Sequence, residues 1–333
     1  MPSLMTNETS YQASGRAARA SLCKCPGQKG WEITRGIKQI LIALLLVLSC
    51  TCVQAHNYRS ISVRTPDNIT IAAQEWGNPK GPELVFIHGL GQSHLSWEKQ
   101  YDSSLAKDFR ILTYDLRGHG DSEKPSEPTM YSEGKRWGDD LNALIRAAGF
   151  KKPTLVAWSL AGVVVLNYLH TYGDEDLSGV VFVDAFIRFK PEFVSSLDLY
   201  PPLMSDDLAE RSRGIANFLR ACFHKQPDQN DFELMLTYNA MVPAVVQRAV
   251  PKLIAEVSEE SLKSLKSLKR PVLIIQGDKD RIDTNKMAVY THGLVQNSNI
   301  KMYSDSGHAP FFEEPARFNE DLRAFVMGIG SQN

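Results

Sequence analysis

Past residue 58 the chain alternates short apolar runs with stretches whose apolar positions recur at helical spacing. Residues 60–64 and 69–76 read as two strands joined by a turn at Pro66-Asp67-Asn68. Residues 84–88 form a continuous apolar run, the signature of a strand buried on both faces of a parallel sheet. Strands are expected again at 109–115, 154–158 and 179–184, with helices at 134–148, closed by Gly149, and at 160–172. From about 187 to 268 no run suits a parallel strand. That stretch reads as several helices punctuated by Pro191, Pro201, Pro202, Pro227, Pro243 and Pro251. The alternation resumes with a strand at 271–276, a helix at 284–293, a strand at 300–303 and a last helix at 315–326.

Strands alternating with helices imply βαβ crossovers, and hence an α/β fold with a mostly parallel sheet covered by helices on both faces. The core is expected to comprise residues 56–186 and 269–333, with 187–268 inserted as a helical cap over the sheet's carboxyl edge. Ligands bind at that edge in open α/β folds.

Residues 1–55 stand apart. The segment 37–55, IKQILIALLLVLSCTCVQA, has a basic flank at Lys38, an apolar run from 40 to 48, and small residues before a cut expected after Ala55. It is expected either to direct export to the periplasm or medium, or to stay as a membrane anchor. Cys50, in Val47-Leu48-Ser49-Cys50, is a third possibility as a lipidated residue. The basic region before it is long for a signal when counted from Met1, so a later, non-Met start is a further option.

Composition narrows the chemistry. With 37 Lys+Arg against 38 Asp+Glu the net charge is −1, which does not suit a nucleic-acid binder. Four cysteines, Cys23, Cys25, Cys50 and Cys52, precede residue 56, and Cys222 alone follows. A single cysteine cannot staple the folded part, and Cys23 and Cys25 lack the second pair that a structural zinc site needs.

Five motifs sit where strands end. Val156-Ala157-Trp158-Ser159-Leu160-Ala161-Gly162 runs a strand into a helix through one serine flanked two positions away by alanines, as a sharp turn requires. Such a serine stands at a helix N-terminus, where backbone dipoles favour negative charge, although an N-capping serine looks alike locally. His88-Gly89-Leu90-Gly91 follows the strand at 84–88. Asp115-Leu116-Arg117-Gly118-His119-Gly120-Asp121-Ser122 follows the next strand and reads as a structural loop at the site floor, with His119 a loop histidine rather than a base. Gln276-Gly277-Asp278-Lys279-Asp280-Arg281 and Asp305-Ser306-Gly307-His308-Ala309-Pro310 follow the last two strands. The order Ser159, Asp280, His308 is the nucleophile–acid–base order of one triad fold and differs from the others.

On these motifs the chain, from about 58 to 330, resembles the α/β-hydrolase superfamily, and within it the serine esterase and non-haem haloperoxidase-like (perhydrolase) branch. The resemblance implies Ser159 as nucleophile, His308 as general base, Asp280 as the acid orienting the histidine, and a cap domain. It also implies an oxyanion hole from the backbone N–H groups of Leu90 and Leu160. Asp184, at the end of the strand at 179–184, is the alternative acid. Haloalkane dehalogenases share the fold but use an aspartate nucleophile; Ser159 and the absence of an evident halide-binding pair argue against that chemistry. The expected function is hydrolysis of a small to medium carboxylic ester through an acyl-enzyme, with no metal or organic cofactor. The alternatives are the same triad acting on a lactone, amide, carbon–carbon bond or peracid, or a ligand-binding receptor on the same fold. Within 187–268 and just before it, Phe186, Phe189, Phe193, Leu199, Tyr200, Leu203, Met204, Phe218, Phe223, Phe232, Met235, Tyr238 and Met241 supply apolar surface. Some of it is expected to line a substrate pocket and the rest to form the segment's own core.

Overall fold

The computed structural model describes residues 58–330, so the expected export or anchor segment 37–55, with Cys50 and Ala55, lies outside the described residues. Eight strands form one sheet: β1 (Arg59–Arg64), β2 (Thr70–Gly77), β3 (Glu83–Ile87), β4 (Arg110–Tyr114), β5 (Thr154–Trp158), β6 (Gly179–Val183), β7 (Val272–Gly277) and β8 (Ser298–Tyr303). Their spatial order is β1-β2-β4-β3-β5-β6-β7-β8. β2 pairs antiparallel with both β1 and β4, and every other pairing is parallel.

Burial explains which sequences fill which places. β5, β6 and β7 are buried at every position, as their unbroken apolar runs require between two helical layers. The edge strand β1 is largely exposed, and β8 is buried only at its two ends, Ser298 and Tyr303. Successive residues feed two separate cores. Val85 and Ile87 of β3 join one cluster with Tyr131, Trp137 and Leu141; Leu84 and Phe86 join the other with Trp97, Phe311 and Phe318. The helices Gly134–Ala148 and Ala161–Tyr172 pack on the first face and Pro315–Gly330 on the second.

Between β6 and β7 lie three short 3-10 turns (Pro191–Phe193, Leu197–Leu199, Pro201–Met204) and four helices, Leu208–Cys222, Gln229–Ala240, Ala244–Ala255 and Glu259–Lys266. Asp207, Asp228 and Ser258 cap three of these by accepting from the backbone N–H three residues on. Their apolar residues go to both cores: Phe218, Phe232 and Met235 to one, Val246, Leu253 and Leu265 to the other. Among the described residues, no helix is long and apolar enough to cross a membrane.

The topology gathers the loops. β3 is flanked by β4 and β5, so the direction of chain progression reverses there, and the register sets Ile87 beside Ala157. The loops beginning at His88 and Ser159 therefore leave the sheet side by side at a switch point. β6, β7 and β8 are consecutive neighbours, so Asp184, Asp280 and His308, which follow them, also emerge together.

Candidate active site

Ser159 has φ 56°, in the left-handed region that a residue with a Cβ avoids. Neighbouring chain holds it there. Its N–H donates to Val183 O at 3.1 Å, and its carbonyl accepts from Phe186 N at 2.8 Å and Gly162 N at 3.0 Å. Within this turn Gly162 cannot be replaced by a residue with a Cβ, which would stand 2.4 Å from Phe186 O. The flanking alanines Ala157 and Ala161 are fully buried.

The loop after β3 closes on this turn. A Cβ on Gly89 would lie 3.0 Å from Ser159 Cβ and 3.5 Å from its Oγ. The N–H groups of Leu90 and Leu160 make no hydrogen bond among the described residues. The next amide, Gly91 N–H, is taken by His119 Nε2 at 3.1 Å. His119 Nδ1 in turn bonds Arg117 O at 2.9 Å. His88 repeats the pattern, accepting from Leu116 N at 3.0 Å and bonding its own loop at Gly89 O at 2.8 Å. An imidazole that accepts an amide N–H at Nε2 must keep that lone pair, so both rings are neutral. Burial pushes His88 down to about 4 and His119 to about 3. The loop 115–122, read as structural from the sequence, is thus bolted to the loop carrying Leu90. Sequence reasoning did not foresee His119 as the acceptor that occupies Gly91. Asp115 closes the network by accepting from His94 N at 2.8 Å and Asp121 N at 3.0 Å. Burial alone would raise Asp115, but the bond and charge of His94 hold it at about 2.

His308 is 1 % exposed. Its Nδ1 bonds Asp280 Oδ2 at 2.6 Å, and its Nε2 is buried with no partner. Burial lowers its affinity for a proton. Trp158, the residue before Ser159, donates from Nε1 to His308 O at 2.6 Å, which ties the two loops together. His308 N donates to Cys222 O at 2.7 Å, the last residue of the helix Leu208–Cys222. Glu313 accepts from Gly307 N at 2.8 Å, His224 N at 2.9 Å and Lys225 N at 2.7 Å, pinning both sides of that junction.

Asp280 also accepts from Ile282 N at 2.7 Å and Asp283 N at 3.1 Å. Burial raises it to about 6 against these bonds. Two further acids crowd it. Asp184 Oδ1 accepts from Gln276 Nε2 and Gly277 N, each at 2.8 Å, while Asp283 Oδ1 accepts from Gln276 Nε2 at 3.1 Å. The Oδ2 atoms of Asp184 and Asp283 are buried without a donor. Burial, then the charge of Asp280, pushes both well above the carboxylate range. A neutral carboxyl resolves the orphan oxygens, because its O–H can donate to Asp280. The histidine's hydrogen bond goes to Asp280 and not to Asp184. Asp184, Asp280, Asp283 and His308 together have metal-ligand spacing. Two features of the donor set oppose a cation: Nδ1 of His308 is committed to Asp280, and the other two acids favour the protonated form.

Ser159, Leu160 and Leu90 line one cavity of about 330 Å³, walled by Phe186, Tyr200 and Phe218 among others. An imidazole with its Nδ1–H held by a carboxylate has a free Nε2 lone pair to accept a proton, and the two idle N–H groups can receive a developing oxyanion.

The family model described as alpha/beta hydrolase fold matches residues 82–315. The chain is similar to a solved putative aryl esterase from Burkholderia cenocepacia, 41% identical, TM-score 0.78, covering 82% of this chain and 100% of that one. It is also similar to the esterase RhEst1 from Rhodococcus sp. ECU1013, 28% identical, TM-score 0.75, covering 81% and 99%. The bifunctional esterase/perhydrolase DCH of Acinetobacter calcoaceticus is 25% identical over 79% of this chain and 98% of its own length.

Proposed function

Because the chain belongs to the alpha/beta hydrolase fold family, we propose that it is a serine carboxylesterase acting through an acyl-enzyme on Ser159. The observation that carries this is His308. Its Nδ1 is bonded to Asp280 at 2.6 Å and its Nε2 has no partner, at the sheet edge from which the strained Ser159 emerges. His308 Nε2 takes the Ser159 proton as Oγ attacks the ester carbonyl. The idle N–H groups of Leu90 and Leu160 receive the oxyanion, and Asp280 stabilises the imidazolium. The alcohol leaves with that proton. Water, deprotonated by the same nitrogen, then releases the acid. Apo geometry in which the serine–histidine hydrogen bond is not yet made is ordinary for such sites. The segment 187–268 serves as the cap that walls the ester group, and residues 37–55 serve as an export or anchoring signal.

The test is hydrolysis of p-nitrophenyl esters of increasing acyl length by the full chain, beside Ser159→Ala. Turnover in the parent that falls by about 10⁴-fold or more in the variant supports the nucleophile. A folded parent that turns over no ester, or a variant as active as the parent, refutes the reading.

A further inference from the structure

The cavity above Ser159 is unusually poor in polar side chains. Of its fifteen lining residues, only Ser159 and Tyr200 carry a side-chain oxygen or nitrogen, and none is charged. Tyr200 is half-buried, and its hydroxyl makes no hydrogen bond among the described residues. Four other tyrosines differ: the hydroxyls of Tyr131, Tyr172, Tyr238 and Tyr303 bond Pro125 O at 2.6 Å, Asp139 at 2.7 Å, Gln92 at 3.2 Å and Asp321 at 2.7 Å. Tyr114 is also unpartnered, but it is fully buried and does not line the cavity.

The ring is well anchored. Tyr200 precedes Pro201 and Pro202, which fix the following turn, and its ring meets Phe218 edge-on at 5.9 Å between centroids. The hydroxyl is therefore set in place before any ligand arrives. Burial raises its affinity for the proton, so it is a donor. Apart from Ser159, Tyr200 brings the one side-chain donor to an otherwise apolar, uncharged wall, and such a donor discriminates in two ways. It rejects a charged group, which would lose its hydration without compensation, and it rewards one acceptor at one place.

We infer that Tyr200 is a specificity-determining residue, and that the substrate group held in this cavity is uncharged and largely apolar with one hydrogen-bond acceptor that meets the Tyr200 hydroxyl. The inference rests on the esterase reading above.

The experiment uses the full chain and Tyr200→Phe with two pairs of esters, each differing by one CH₂-to-oxygen exchange. Hexyl butanoate and 2-propoxyethyl butanoate probe the alcohol side; ethyl heptanoate and ethyl 4-ethoxybutanoate probe the acyl side. In one of the pairs, Tyr200→Phe lowers kcat/KM of the ether ester relative to its hydrocarbon partner by about three- to tenfold, the effect of one net hydrogen bond. Monoethyl adipate, with a terminal carboxylate, is a poor substrate of the parent by at least about 100-fold relative to ethyl heptanoate. Unchanged ratios in both pairs while the esters are hydrolysed overturn the role of Tyr200 and leave the esterase reading standing. Adipate turnover equal to that of heptanoate overturns the uncharged class. No turnover of any of these esters by folded parent protein overturns the esterase reading and this inference with it. If the phenylalanine variant does not fold, Tyr200→Met repeats the comparison.

Discussion

Three buried aspartates surround one histidine, and their charge states predict sharply different costs for the same substitution. In Asp280→Asn the acceptor of the 2.6 Å bond from His308 Nδ1 becomes an amide. The imidazole then turns its proton to Nε2, the wrong face for taking one from Ser159, and its cation loses its counter-charge. Neutralising the acid of a serine triad in this way costs about 10⁴ in kcat. Asp184→Asn should be mild. The asparagine Oδ1 keeps both 2.8 Å bonds, from Gln276 Nε2 and Gly277 N, and its NH₂ replaces the O–H that faces Asp280. The sign of the stability effect follows from linkage. Burial, then the neighbouring charge of Asp280, raises Asp184 in the folded state, so the folded protein binds more protons than the unfolded one above the unfolded value. Parent stability therefore falls as pH rises from about 4, by about 1.4 kcal/mol for each unit that Asp184 is raised, and Asp184→Asn removes that fall. The assay is kcat on p-nitrophenyl acetate at about pH 8 with urea unfolding at about pH 5 and 8, for Asp280→Asn, Asp184→Asn and Asp283→Asn. Asp184→Asn and Asp283→Asn should retain kcat within about tenfold and be no less stable than the parent at the higher pH. A loss of about 10⁴ in Asp184→Asn with a mild Asp280→Asn would refute the reasoning and make Asp184 the acid.

Two further outcomes are expected. Ser159→Gly should be more stable than Ser159→Ala by about 1 kcal/mol in thermal unfolding, because glycine accepts the 56° φ without strain; equal stabilities would argue against a strained turn. His119→Leu leaves Gly91 N–H, now bonded at 3.1 Å, without its acceptor. It should lower kcat more than it changes KM, as the Leu90 loop loosens. It should also flatten the stability profile between about pH 3 and 6.5, where the unfolded parent takes up a proton at His119 that the folded parent refuses. A parallel profile in the variant would count against a neutral, buried His119.

The strands were legible because interior parallel strands must be apolar throughout, as in Val180 to Val183 and Val272 to Ile275. The Ser159 turn and the loops after β7 and β8 were legible because sharp turns and strand ends select residue types locally. Distances between loops were not. Whether Asp184 or Asp280 holds His308, and that Asp283 joins them, depends on the packing of three loops whose residues lie up to 124 positions apart (184 to 308). The tie from His119 to Gly91 spans 28 positions and leaves no periodic trace. The short helices His94–Trp97, Glu98–Tyr101 and Pro310–Glu313 have four residues each, too few to show a period. Composition marked the region 186–241 as rich in apolar surface but could not sort it. Phe186, Phe189, Tyr200, Met204 and Phe218 line the cavity, while Phe232, Met235 and Tyr238 are buried in the core cluster that also holds Trp97.

The bond from His308 N to Cys222 O joins the histidine to the final residue of a helix that belongs to the β6–β7 segment. A latch of this kind makes the segment's lifetime the clock for the enzyme. The amide of His308 exchanges with solvent only when the end of Leu208–Cys222 lets go, so its protection reports the opening of that helix and not of the sheet. Mild heat or denaturant that frays the helix displaces the histidine while the eight strands stay paired. On the proposed mechanism, inactivation then runs ahead of the melting of β structure, and refolding of the sheet alone does not restore the pairing of His308 with Asp280.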